Sequence, residues 1–222
     1  MSNIQLVVLD MAGTTVDEDN VVYKTVHKSI VAAGYDISLE DVLLHGAGKE
    51  KLQAIKDTLA AKNIANADTT GIFNTFTDNL DAAYAALEVK TFPGVEHLLS
   101  ILRERGIHVA LNTGYNARIA NLLLDKLGWK KGVEYNVLVT ADDVLRGRPH
   151  PDMIDLAMQQ TGVTDSAATL KAGDSAIDIE EGKNAGCGIT VGVTTGAQTR
   201  EQLAVAQPTY VFDTLVDVLD II

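Results

Sequence analysis

Six short apolar runs rich in β-branched residues, with helical patterns between them, dictate most of what this chain can become. They are Ile4 to Leu9, Ile107 to Leu111, Tyr135 to Val139, Thr169 to Ala172, Ile189 to Val193 and Thr209 to Phe212. Runs this short, without polar alternation, suit strands buried on both faces. Val95, Leu98, Leu99 and Leu102 repeat with helical spacing up to Gly106. Ile119 to Leu127 and Met153 to Thr161 do the same up to Gly128 and Gly162. The alternation predicts an α/β fold, a Rossmann-like and mostly parallel sheet covered by helices on both faces. Ligands of such sheets bind beyond the carboxyl ends of the strands.

The stretch from about Glu18 to Glu88 breaks the rhythm. It carries helical patterns at Val21 to Val31, Leu39 to Leu44, Leu52 to Leu59 and Ile72 to Leu87, and no convincing strand. The expected organisation is therefore an α/β core of residues 1–17 and 90–222, with residues 18–89 an all-helical cap inserted after the first strand. Phe92-Pro93-Gly94 marks the return to the sheet. Hinges near Asp17 and Lys90 would let the cap close over the ligand edge and exclude water. Val21 to Val31 offers a plausible surface for a homodimer through the cap.

Charge and cysteine usage narrow the partners. A formal net charge of −12 with no long basic run disfavours nucleic acid and anionic membranes. The run Ile4 to Leu9 is too short to span a bilayer and resembles no signal segment, so no membrane is expected. The single cysteine, Cys187, excludes an internal disulfide and suits a reducing, cytoplasmic location. Set between Gly186 and Gly188, it reads as an inert buried thiol.

Chemistry-bearing residues gather where the strands end. Asp10 closes the first run and opens Asp10-Met11-Ala12-Gly13-Thr14-Thr15. A carboxylate there can attack in line while Thr14 and the backbone donors of the turn hold phosphoryl oxygens. Asn112-Thr113-Gly114-Tyr115 places a hydroxyl and amides after the second run. Arg148, in Arg148-Pro149-His150-Pro151, can hold two oxygens in its fork. Gly173-Asp174-Ser175, with Asp178 four residues after Asp174, follows the Thr169 to Ala172 run. Asp174 is placed to share a hard cation with Asp10, and Asp178 could be a second ligand or its orienter. Any one of these is ordinarily a cap or a surface charge; four sets at successive strand ends argue for a site.

Asp10-x-Ala12-Gly13-Thr14-Thr15, Thr113-Gly114-Tyr115, Gly147-Arg148-Pro149 and Gly173-Asp174-Ser175-x-x-Asp178 resemble the four motifs of the haloacid dehalogenase superfamily. Their form is most similar to the phosphonoacetaldehyde hydrolase (phosphonatase) branch, and the likeness spans nearly the whole chain. The resemblance implies that Asp10 becomes an aspartyl phosphate and that Mg²⁺ is held by Asp10, the Ala12 carbonyl and Asp174. It also implies that Thr113 and Arg148 bind the transferring group, with Gly13, Thr14 and Gly114 around it.

Most phosphatases of this superfamily carry an aspartate where this chain has Ala12, so no carboxyl group there can protonate an alkoxide. A phosphonatase avoids that need, because a protonated imine accepts the charge left when the C–P bond breaks. Lys49, in Gly46-Ala47-Gly48-Lys49, matches the cap-loop lysine that forms such an imine. The ordinary reading of one lysine is a solvated charge. The family's methionine before the loop is His45 here, its histidine beyond the lysine is Leu52, and its hinge cysteine is Asn20. His45 could transfer a proton, Tyr115 could orient the imine, and Lys49 could instead only bind substrate. Three functions follow: hydrolysis of a small phosphonate such as phosphonoacetaldehyde, hydrolysis of a phosphate ester, or metabolite binding on an inactive scaffold.

Overall fold

A computed structural model describes residues 4–222. The chain opens with β1 (Leu6–Asp10), every residue of which is buried. After a tight turn comes the two-residue strand β2 (Val16–Asp17). Four helices follow: α1 (Val21–Ala32), α2 (Leu39–Gly46), α3 (Lys51–Ala61) and α4 (Thr69–Ala86). β3 (Lys90–Thr91) pairs antiparallel with β2, Val16 opposite Thr91 and Asp17 opposite Lys90. The alternation then resumes as α5 (Val95–Glu104), β4 (His108–Asn112), α6 (Ala117–Leu127), β5 (Val137–Val139), α7 (Asp152–Thr161) and β6 (Thr169–Gly173). It closes with α8 (Ala176–Asn184), β7 (Ile189–Val193), α9 (Arg200–Val205) and β8 (Tyr210–Phe212).

The six expected strands form one sheet in the order β5-β4-β1-β6-β7-β8, with all neighbours parallel. β1 lies inside the sheet, so its last residue meets a neighbour on either side. Asp10 is in register with Asn112 of β4, and β6 ends at Gly173, one residue before Asp174. Alternation along β1 feeds two cores. Val7 and Leu9 join the larger cluster with Leu98 and Leu102 of α5 and Leu123 of α6; Leu6 and Val8 join Met153, Ile154 and Ala157 of α7.

The helices between β2 and β3 hold one another through regular stripes. Ile72, Phe76, Leu80 and Tyr84 recur every fourth residue of α4, and α1 packs along it with Val22, Tyr23, Val26 and Ile30 buried. α2 starts at a reciprocal capping box of Ser38 and Asp41, and the side chain of Glu50 caps α3. With those caps α2 starts at Leu39, where its apolar pattern does, and α3 starts at Lys51, one residue earlier than its pattern. The ribbon of β2 and β3 occupies the expected hinge segments, where no strand was anticipated. α8 also lacked an apolar signature, because its buried residues include Asp178 and Glu181. Among the described residues no helix is long and apolar enough to cross a membrane.

Candidate active site

The turn after β1 is fastened mostly to itself. The N–H groups of Thr14, Thr15 and Val16 donate to the Met11 carbonyl, and that of Gly13 donates to Val16. The Thr15 hydroxyl donates to the Asp10 carbonyl at 2.9 Å. The Gly13 and Thr14 amides are therefore engaged within the turn itself. The Met11 and Ala12 amides take no part in these bonds. The Thr14 hydroxyl is buried without a partner, a polar atom aimed at something else. Gly13 has φ +80°, and a Cβ there would lie 2.4 Å from Asp174 Oδ2, so only glycine lets the turn pass beneath Asp174.

Around Asp10 a buried charge network joins three strand ends. Arg148 places Nη2 2.8 Å from Asp10 Oδ1, Nη1 3.0 Å from Asp178 Oδ1 and Nε 3.1 Å from Glu181 Oε2. Its Nη2 also donates to the carbonyl and side chain of Asn112. Lys171, fully buried in β6, reaches Asp178 at 3.0 Å, Glu181 at 3.3 Å and Asn112 Oδ1 at 2.5 Å. Asn112 completes the ring by donating Nδ2 to Glu181. Neither Lys171, Glu181 nor Asn112 was singled out as a site residue from sequence. A lysine within a strand that is otherwise apolar was the available signal for Lys171.

Asp10, Asp174 and Asp178 each offer an oxygen within 4.8 Å of the others, a group able to hold a metal ion. The electrostatics of these acids suit a cation site. Burial, then the charges of Asp10 and Asp178, push the Asp174 carboxyl well above its ordinary range. Burial also raises Asp10, against the pull of Arg148. Asp178 behaves oppositely: burial opposes its charge, but Arg148 and Lys171 outweigh it and hold the carboxyl below the usual range. Four buried carboxylates thus face two cations, an imbalance that a divalent ion between Asp10 and Asp174 removes. Asp178 is already engaged by Ser175, Arg148 and Lys171, which suits orienting rather than ligation. A loop missed in the sequence steadies Asp174: Ala197 N donates to its Oδ2 at 2.6 Å, and the Thr195 hydroxyl donates to the Gly13 carbonyl at 2.6 Å.

The other edge of the site belongs to the loop between α2 and α3. Gly48 N donates to the Tyr23 hydroxyl at 3.0 Å, and a Cβ on Gly114 would lie 3.0 Å from the Gly48 carbonyl. Lys49 is ion-paired to Asp57 and remains partly exposed. Lys51 is the lysine that turns inward. It is buried, with Nζ 5.1 Å from the Tyr23 ring centre and 5.3 Å from that of Tyr115. Burial brings its amine down to about 8, against the pull of Asp10. Beside Lys51 and Tyr115 opens a cavity of about 200 Å³, whose apolar wall includes Val22, Phe73, Phe76 and Leu80. Thr113 is buried, and its hydroxyl oxygen accepts the Tyr115 N–H at 3.2 Å, leaving its hydrogen to donate. His45 lies half-buried in the last turn of α2 and contributes nothing to the ion pairs around Asp10.

Comparison with known proteins agrees with this geometry. The model of the haloacid dehalogenase-like hydrolase family matches residues 4–186. A phosphonoacetaldehyde hydrolase of Latilactobacillus sakei is 32% identical over 205 residues, covering 87% of this chain and 76% of that protein. Among solved structures, a phosphonoacetaldehyde hydrolase-like protein from Oleispira antarctica superposes with TM-score 0.82 at 24% identity, over 99% of this chain and 91% of that one. A hydrolase from Pseudomonas syringae gives TM-score 0.84 at 19% identity, over 97% and 96% of the two chains. With its strand-end motifs gathered around Asp10, this chain belongs to the haloacid dehalogenase-like hydrolases, on their phosphonoacetaldehyde hydrolase-like branch.

Proposed function

We propose that the protein is a Mg²⁺-dependent hydrolase of a small phosphonate aldehyde such as phosphonoacetaldehyde. The observation that carries this reading is a buried lysine amine, Lys51, beside a nucleophile whose neighbour at position 12 is alanine. A phosphate ester needs an acid near its leaving oxygen, and no carboxyl group at position 12 supplies one. A carbon leaving group needs an electron sink, and an amine within reach of a carbonyl makes one. In this reading Lys51 takes the imine role assigned to Lys49 from sequence, because Lys51 is buried and lines the cavity while Lys49 is partly exposed and paired with Asp57; the Lys51 Nζ donates to the Lys49 carbonyl at 2.5 Å.

Each residue then has a physical task. Asp10, Asp174 and the Ala12 carbonyl would hold Mg²⁺, which would supply positive charge to the phosphonate. The Thr113 hydroxyl holds a phosphoryl oxygen, while Arg148, its nitrogens engaged by Asp10, Asn112, Asp178 and Glu181, aims Asp10 and lends its charge to the developing phosphoryl group. Lys51 condenses with the aldehyde in the Tyr23–Tyr115 cleft, and Asp10 attacks phosphorus as the C–P electron pair moves into the iminium. Water then releases phosphate from Asp10 and the aldehyde from Lys51. Residues 18–89 serve as the cap that brings Lys51 to the strand ends, and closure keeps bulk water from the imine.

The deciding measurement is the ratio of acetaldehyde to phosphate released from phosphonoacetaldehyde, with Mg²⁺ present and after chelation. Equal amounts, dependent on Mg²⁺, are expected. An inert phosphonoacetaldehyde alongside turnover of phosphate esters would replace this reading with a phosphomonoesterase, in which Lys51 binds substrate.

A further inference from the structure

The cavity that Lys51 lines is larger than an aldehyde hydrogen needs. It has a volume of about 200 Å³, and Lys51, Gly114 and Tyr115 are part of its wall. None of Asp10, Asp174 and Arg148 lines it, so what it holds is not the phosphoryl group. Most of the wall is apolar. Val22 of α1, Phe73, Phe76 and Leu80 of α4 and Ile119 of α6 supply it, with the Phe73 and Phe76 ring centres 5.8 Å apart. The Tyr115 ring lines the same cavity and lies 5.3 Å from Lys51 Nζ, so amine and apolar wall share one space.

The exposed charges on its rim are already engaged. Arg118 of α6 pairs with Asp81 of α4 at 2.5 Å. Glu50 accepts the amides of Leu52 and Gln53, and Asp142 accepts the N–H of Ala117. With Arg118 held by Asp81, this rim favours an uncharged group over a carboxylate.

We propose that the substrate class is a 2-oxoalkylphosphonate, a phosphonate ketone whose uncharged apolar substituent sits in this cavity. The inference rests on the imine reading above and narrows it. Once Lys51 condenses, the former carbonyl carbon has three in-plane bonds. One goes to the Lys51 nitrogen, and a second to the methylene that carries phosphorus toward Asp10. The third bears only hydrogen in phosphonoacetaldehyde, and it is the bond free to enter the cavity. A hydrogen covers none of the Phe73, Phe76 and Leu80 wall, whereas an alkyl group buried there gains by leaving water. An apolar cavity of about 150 Å³ accepts benzene, so this one has room for a branched chain or a ring.

Cleavage balances with one net water. Asp10 takes phosphorus as the C–P pair moves into the iminium, and the resulting enamine carbon gains a proton. Overall, the water oxygen and one of its hydrogens end on phosphate, and the other hydrogen ends on the released methyl carbon. The products are a methyl ketone and inorganic phosphate.

The test compares kcat/KM for phosphate release from phosphonoacetaldehyde, 2-oxopropylphosphonate and 2-oxo-4-methylpentylphosphonate. The two ketones share one intrinsic reactivity and differ only in the substituent. The branched ketone should exceed the methyl ketone by about tenfold or more, the scale of filling an apolar pocket; a smaller ratio overturns the inference. Thr77 lines the cavity, and its hydroxyl donates only within its own helix, to the Phe73 carbonyl at 2.9 Å. Thr77→Phe should bring the ratio near one with phosphonoacetaldehyde turnover unchanged, and the smaller Thr77→Leu should lower it part-way. A wild-type ratio kept in either folded variant removes the substituent from this cavity. Cleavage of phosphonoacetaldehyde but of neither ketone overturns this inference alone. No C–P cleavage of any of the three overturns the imine reading together with it.

Discussion

Arg148 grips Asp10 through a single nitrogen, Nη2 at 2.8 Å, while Nη1 and Nε are fixed by Asp178 and Glu181. The guanidinium is thereby aimed before any substrate arrives. Lysine offers one point charge and cannot satisfy three acids in one plane. Arg148→Lys should lower kcat by about 100-fold or more, the scale of losing one preorganised donor at a site of developing charge. Phosphate release under saturating substrate checks this; a change below threefold would mean that the arginine geometry is incidental.

Asp10→Asn should separate stability from activity. The substitution removes the nucleophile, so turnover should fall by at least about 10⁴-fold. It also removes one of four crowded carboxylates, whose charge Asp174 feels strongly. The metal-free variant should therefore melt above the metal-free wild type. Calorimetry in chelator, beside a phosphate assay, tests both halves.

Metal binding should stabilise the protein more as pH rises. Asp174 has a raised native pKa, so the metal-free native state holds a proton there that the unfolded chain releases. That contribution to stability is complete below the ordinary carboxylate pKa and is lost as pH climbs through the raised value. A cation bound by ionised carboxylates offsets the loss. Mg²⁺ should raise Tm more near pH 8 than near pH 5. Equal shifts at both would remove Asp10 and Asp174 as the metal site.

The two loop lysines should part company. Lys51→Arg should abolish borohydride trapping and C–P cleavage. Lys49→Arg, which keeps a cation beside Asp57, should stay within a few-fold of wild type. Peptide mapping of the reduced adduct decides, and label on Lys49 would return the imine role to it.

Lys171 should matter to folding as surface pairs do not. Lys171→Met leaves Arg148 as the one cation paired with Asp178 and Glu181 among the described residues, a change worth about 3–5 kcal/mol when a buried pair is broken. Arg146→Ala breaks the half-exposed pair with Asp152 and should alter stability by about 1 kcal/mol or less. Urea unfolding of both variants gives the comparison.

Strand positions and the acids at strand ends were legible because buried parallel strands leave uninterrupted apolar runs, and ligand sites of such sheets lie where those runs stop. The residues that complete the cluster were not. Lys51, Glu181 and Lys171 are charged, and charge in a sequence ordinarily signals solvent. Their burial depends on partners far along the chain, as when Lys171 meets Asn112 of a different strand. Lys49 drew attention by following Gly46-Ala47-Gly48, yet α3 begins two residues later, and that start turns Lys51 inward. Which amides of the Asp10 turn are spent on internal bonds was hidden for a related reason, since those bonds are not written in the order of residues.

The close pass of Gly114 beneath the Gly48 carbonyl has a consequence for recombination among relatives. The helical segment meets the sheet there backbone to backbone, so a side chain on the lower partner would press on the Gly48 carbonyl. A helical segment transplanted from another hydrolase would seat Lys51's counterpart best on a sheet that also presents glycine at 114. If Lys51 forms the proposed imine, its reach depends on both surfaces together, and exchanging one without the other should leave a chimera whose amine sits out of register with the phosphoryl site.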